Sequence, residues 1–160
     1  SMWKEHALET AKVLSKIDPN FIRLRTLAMR EDIPLLEKVH LGEFQLSNDD
    51  EIVVEEKLLL ENLHGTGYLV SDHILNLLED VEGNLARDKT SMLKIIDNYL
   101  SLPAEERANF CLGRRLGIYR YMRDMEDAER YEQVSKLRRH LIETGQDQDE
   151  FLIQCRGNFI

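Results

Sequence analysis

Tyr68-Leu69-Val70-Ser71-Asp72-His73-Ile74-Leu75-Asn76-Leu77-Leu78 is the stretch on which the fold turns. Three apolar residues read as a short strand. A polar Ser-Asp-His step follows, then an amphipathic helical turn that Asp72 is placed to cap. A helix runs into the stretch and more helices follow it.

Upstream, residues 3–17 read as a helix. Trp3, Ala7, Leu8, Ala11, Leu14 and Ile17 fall three and four apart and make one apolar stripe. Asp18-Pro19-Asn20 ends it, since proline disfavours helix in the residue before it. Residues 21–27 then alternate: Ile22, Leu24 and Thr26 against Arg23 and Arg25, the pattern of a strand with two unlike faces. The two arginines suit either a solvated sheet face or a carboxylate or phosphate held by the guanidinium fork. Residues 28–46 form a connection with a short helix opened by Pro34 and closed by Gly42. Ser47-Asn48-Asp49-Asp50 supplies capping residues for a helix to about Leu63, with Ile52, Leu59 and Leu63 along one side and Val53, Leu60 and Glu56 around them. Gly65 and Gly67 stop it.

The order helix, strand, helix, strand is that of parallel α/β units, whose ligands sit at the carboxyl ends of the strands. Ser71, Asp72 and His73 stand at that end of the second strand, Arg25 and Thr26 at that end of the first. Two strands alone do not make a stable sheet, so their faces must meet helices, another chain or further strands. Beyond Leu78 the chain reads as helical. Residues 79–87 form a loop around Gly83. Asp88 caps a helix to about Leu102 that buries Met92, Ile95, Ile96, Tyr99 and Leu102. A second helix starts at Pro103 and breaks within Gly113-Arg114-Arg115-Leu116-Gly117; residues 118–125 continue helically. A third spans 127–144, with Ala128, Tyr131, Val134, Leu137 and Leu141 inward and Gly145 as its stop. Residues 151–155 make a last short helix. The fold class is therefore mainly α with a minor β component, divided into α/β elements over 1–78 and a helical region over 79–160.

A net charge of −9 in 160 residues excludes broad binding to nucleic acid or to anionic lipid, both of which need a basic surface. Arg114-Arg115 and the run from Lys136 to His140 are local basic clusters, the second near a helix end where cations complement the dipole. Cys111 and Cys155 lie far apart without metal-ligand spacing, which points to a reducing cytoplasm and to Cys111 as a buried small hydrophobe. No apolar run reaches the ~18 residues of a membrane span. Ser1-Met2 reads as a tag remnant ahead of a cloned start, hence a piece of something longer. Asp72 and His73 are the candidate catalytic pair, because a histidine beside a carboxylate serves as acid, base or ligand. The plainer alternative is a helix cap and a packed histidine.

Three stretches together resemble the C-terminal part of a bacterial family of radical S-adenosylmethionine proteins. They are residues 14–27 (LSKIDPNFIRLRTL), residues 70–78 (VSDHILNLL) with Val81-Glu82-Gly83, and Leu112-Gly113-Arg114-Arg115-Leu116-Gly117. The likeness covers nearly the whole chain. It implies the last elements of a partial (β/α) barrel and a C-terminal helical region, cut from the half that holds a four-iron cluster on C-x-x-x-C-x-x-C, a motif this sequence lacks. It implies Arg25, Thr26, Ser71 and Asn76, with Asp72 and His73, at the barrel mouth near S-adenosylmethionine or substrate. The expected function is to complete the barrel and cover the substrate side, without activity alone. The expected partner is the N-terminal barrel half. Self-association of the isolated piece follows, because strand edges and apolar faces seek cover. The rival functions are a helical interaction or scaffold domain, and a small independent enzyme built on Asp72 and His73.

Overall fold

The computed structural model describes residues 2–27 and 33–157. It is mainly helical with one small mixed sheet, as the patterning predicts. In chain order the elements are α1 (Trp3–Ile17), β1 (Phe21–Arg23), α2 (Pro34–His40), α3 (Asp49–Asn62), β2 (Tyr68–Val70), β3 (Gly83–Asn84), α4 (Lys89–Ser101), α5 (Ala104–Arg115), a 3₁₀ turn (Met122–Glu126), α6 (Ala128–Glu143) and α7 (Gln148–Gly157).

β1 and β2 are parallel, with Ile22 opposite Leu69, and α3 makes the crossover. β3 pairs antiparallel with the other edge of β2, so the order is β1-β2-β3. The sequence reading places Gly83 in a loop; instead its missing side chain lets β3 form. A Cβ there would lie 2.7 Å from Cβ of Asp88, and the φ of +155° is one that only glycine adopts easily. Asp88 does not cap α4 with its side chain. Its carboxylate accepts from the Asn84 N–H at 2.9 Å and so closes the β3 turn.

β1 is shorter than the alternation over 21–27 predicts, because β2 leaves the sheet at Ser71. The last ladder bond runs from Leu24 N–H to Val70 O. Beyond it the carboxamide of Asn76 stands where the next peptide of β2 would be: its Nδ2 donates to Leu24 O at 3.0 Å and its Oδ1 accepts from Thr26 N–H at 2.8 Å.

The helical turn expected after Asp72 does not form, and Asp72 caps nothing. Leu75, Asn76, Leu77 and Leu78 are buried in succession in irregular backbone, with one turn bond from Asn76 N–H to His73 O. The carbonyls of Leu75 and Asn76 are taken by arginine side chains of α5 instead of by helical N–H groups. Residues 118–121 are likewise not helical. α5 runs unbroken through Gly113, and the chain then folds back so that the Tyr119 ring lies on that glycine.

Side-chain burial refines the predicted stripes. In α1 only Ala7 and Ala11 are buried, while Leu8 and Ile17 stay exposed. α1 packs on α3 alone among the helices it touches closely, so the covered strip is narrow. In α6 Val134 and Leu141 point inward, but Ala128 and Leu137 are exposed. α3 begins as predicted. Asn48 accepts from Glu51 N–H at 2.9 Å and Glu51 accepts from Asn48 N–H at 3.0 Å, a reciprocal box that satisfies two end donors. One apolar cluster joins Ala11 of α1, Ile22 and Leu69 of the sheet, and Tyr99, Leu112, Val134 and Leu152 of the later helices. No helix among the described residues is long and apolar enough to cross a membrane.

Candidate functional site

The carboxyl ends of β1 and β2 gather the polar residues singled out in the sequence. Thr26 is joined to Asn76 twice, through N–H and through its hydroxyl at 3.1 Å. Asp72 pairs with Arg23 at 3.2 Å, both side chains about half exposed, and a pair so solvated adds little stability. Arg25 is exposed. Ser71 is fully buried and its Oγ has no partner among the described residues. His73 turns back on its own loop, where Leu75 N–H donates to its Nδ1 at 3.3 Å.

Asp72 and His73 thus share no hydrogen bond with each other. Adjacent in sequence, they point to different partners, and a triad-like relay needs them in line. The arrangement offers separate groups for binding: an exposed carboxylate–guanidinium pair, a half-buried imidazole, and a second guanidinium. The Asn76 carboxamide is engaged by the main chain of Leu24 and Thr26 and by the Thr26 hydroxyl, and it fastens the site's floor.

The sequence reading treats Arg114-Arg115 as a local basic cluster. Both are buried, at 6% and 2% exposure, and form no surface patch. Arg115 forks onto Asp49 of α3 and donates to Leu75 O at 2.8 Å. Arg114 donates to Asn76 O at 3.2 Å and to Glu79 at 3.0 Å. Glu79 also receives exposed Arg120. Two arginines in a helix turn bracketed by buried Leu112 and Tyr119 were the available signal, since charge that deep must find partners.

A second inward group is Glu56 of α3, whose Oε1 is buried without a hydrogen bond among the described residues. Burial pushes its carboxyl from the usual 4.5 up to about 8, and the charge of Asp80 adds to the rise. Asp80 is raised as well, first by its own burial, against the pull of Arg123 and Arg114. Glu56 therefore stays protonated in the fold while the unfolded chain ionises. Its contribution to stability is whole below about pH 4.5 and is lost as pH rises towards 8. Glu56→Gln is expected to flatten that slope and to raise stability at pH 8 by on the order of 2 kcal/mol, read from urea midpoints at pH 5 and pH 8.

Cys111 is buried, as expected, with Tyr99 Oη 3.1 Å from its sulfur, and burial pushes its thiol well up. That is an unreactive thiol. Among the described residues no three His, Cys, Asp or Glu side chains are grouped to hold a metal ion. At the strand ends Asp72 is already paired with Arg23 and Asn76 is engaged by main chain, while Arg25 is exposed. No family model, no curated protein and no solved structure matches this chain.

Proposed function

We propose that this chain is the trailing part of a radical S-adenosylmethionine protein, supplying its last parallel strands and a helical cover over the substrate side. The observation that supports this best is the one-sided sheet. Ile22 and Leu69 turn into the core shared with the helices. On the opposite face the register partners Phe21 and Tyr68 stay 51% and 40% exposed, and Val70, beyond Tyr68, is covered. A parallel pair with helices on one face only is the arrangement of a barrel segment, whose other face is the lumen. β1 is also the end strand of the sheet among the described residues. Its ladder to β2 uses the main chain of Asn20 and Leu24, so the alternate residues Phe21 and Arg23 turn theirs to the free edge.

In this reading the N-terminal barrel half pairs with that edge and brings the cluster. Arg25, Thr26, Ser71, Asp72, His73 and Asn76 then stand at the strand ends beside S-adenosylmethionine or substrate. Asp72 and His73 act there as separate binding or proton-carrying groups.

The test is anaerobic reconstitution, with iron, sulfide and a reductant, of the longest translation product of the gene. S-adenosylmethionine consumption by that product, and none by residues 1–160 alone, is the expected result. A longest product that takes up no iron would overturn the proposal.

A further inference from the structure

We infer that Arg114 and Arg115 of α5 are positioning residues for the strand-end cluster, acting through the main-chain carbonyls of Asn76 and Leu75. The inference rests on the proposed role of that cluster, but its structural half can be tested without it.

Residues 71–82 hold almost no regular structure, yet four successive residues within them are buried. Buried carbonyls need donors, and here the donors come from α5. Arg115 NH1 reaches Leu75 O and Arg114 NH2 reaches Asn76 O. The side chain of the same Asn76 holds Leu24 O and Thr26 N–H of the first strand. A continuous chain of bonds therefore runs from α5, through one asparagine, to the end of β1.

Each arginine is itself fixed on its far side. Asp49, at the first turn of α3, takes the fork of Arg115, and Arg156 of α7 lies 4.0 Å from the same carboxylate. Glu79 holds Arg114. A guanidinium offers five donors in a rigid plane, enough to serve a carboxylate and a carbonyl at once. Arg115 spreads these bonds over three nitrogens, which one lysine ammonium does not match. Arg114 makes both from Nη2, one atom farther out than a lysine ammonium reaches. If these pairs served stability alone, apolar side chains of similar volume would do as well. No apolar side chain could hold the two carbonyls.

The test uses hydrogen exchange on residues 1–160 carrying Arg114→Lys, with Arg115→Lys as the second variant. Both keep the charge; Arg115→Lys loses the fork on Asp49, and Arg114→Lys loses the reach of Nη2. Exchange at residues 72–79 is expected to quicken about tenfold. The Thr26 amide, which touches neither arginine, is expected to quicken with it, while the amides of α1 and α6 keep their wild-type rates. Equal acceleration everywhere would mean loss of global stability and would overturn the inference, as would an unchanged Thr26 amide in both variants. If Arg115→Lys does not fold, Arg114→Lys decides alone. In the longer protein Arg114→Lys is expected to lower kcat/KM for S-adenosylmethionine about tenfold at unchanged iron content. A wild type without that activity would sink the proposed function and leave the exchange result standing.

Discussion

Asp49→Asn is expected to lower the unfolding free energy by roughly 3–5 kcal/mol, the cost of leaving a buried charge without its counter-ion. Asp49 is 4% exposed and is the carboxylate for two guanidinium groups that are themselves 2% and 3% exposed, Arg115 and Arg156. Arg115 meets it as a fork. Arg156 lies 4.0 Å away and donates to Ser47 O at 2.8 Å. The asparagine keeps the shape and one acceptor oxygen but removes the negative charge. Two like charges then face each other out of water, so the loss exceeds that of a single broken pair. Urea denaturation of the wild type and the variant at one pH checks this. A change below about 1 kcal/mol, the worth of an exposed pair, would show that the site is far wetter than its burial implies.

Gly113→Ala is the second large effect, and it runs against helix propensity. Alanine in mid-helix ordinarily stabilises by about 1 kcal/mol over glycine. Here the new Cβ would fall 2.1 Å and 2.3 Å from two carbons of the Tyr119 ring. The ring has nowhere to go. It is 1% exposed, stacked on Phe110 at 6.3 Å between centroids, and tied by its hydroxyl to Asn109 Oδ1 at 3.0 Å. The backbone is held too, because Gly113 O accepts from the N–H groups of Ile118 and Tyr119. A net loss of about 2 kcal/mol or more is expected, within or above the usual cost of overpacking. Tyr119→Leu in the Gly113→Ala background should recover part of it, which a thermal melt of the double variant reads directly. Gly113→Ala as stable as wild type would mean that the α5–Tyr119 contact is loose.

Which elements the sequence revealed follows from where their determinants lie. α3 was legible because its capping box is local: Asn48 and Glu51 are three residues apart and need nothing else. The parallel pairing of β1 with β2 was legible because two apolar strands flank a helix. The segment after Ser71 was not. Ile74, Leu75 and Leu78 have helical spacing, so local pattern favours a helix. What decides the outcome is a pair of arginines almost forty residues on, which claim two carbonyls that a helix would use. The extent of β1 was misjudged for the same reason: a side-chain carboxamide, from Asn76, replaced the strand that the alternation of 21–27 implied. The strand-end location of the candidate site needed only the α/β rule. That Asp72 would turn to Arg23, and His73 to its own loop, needed coordinates. Glu56 stands among the apolar residues of α3 in the sequence, but its burial was not legible, since a glutamate on a helix is ordinarily solvated.

The most direct test of the central claim is the translated reading frame upstream of Trp3. The expected result is a C-x-x-x-C-x-x-C segment there, followed by earlier strand and helix units that would pair with the free edge of β1. A frame without such a cysteine trio would contradict it. The open face that carries Phe21 and Tyr68 would then have to be covered by some other partner.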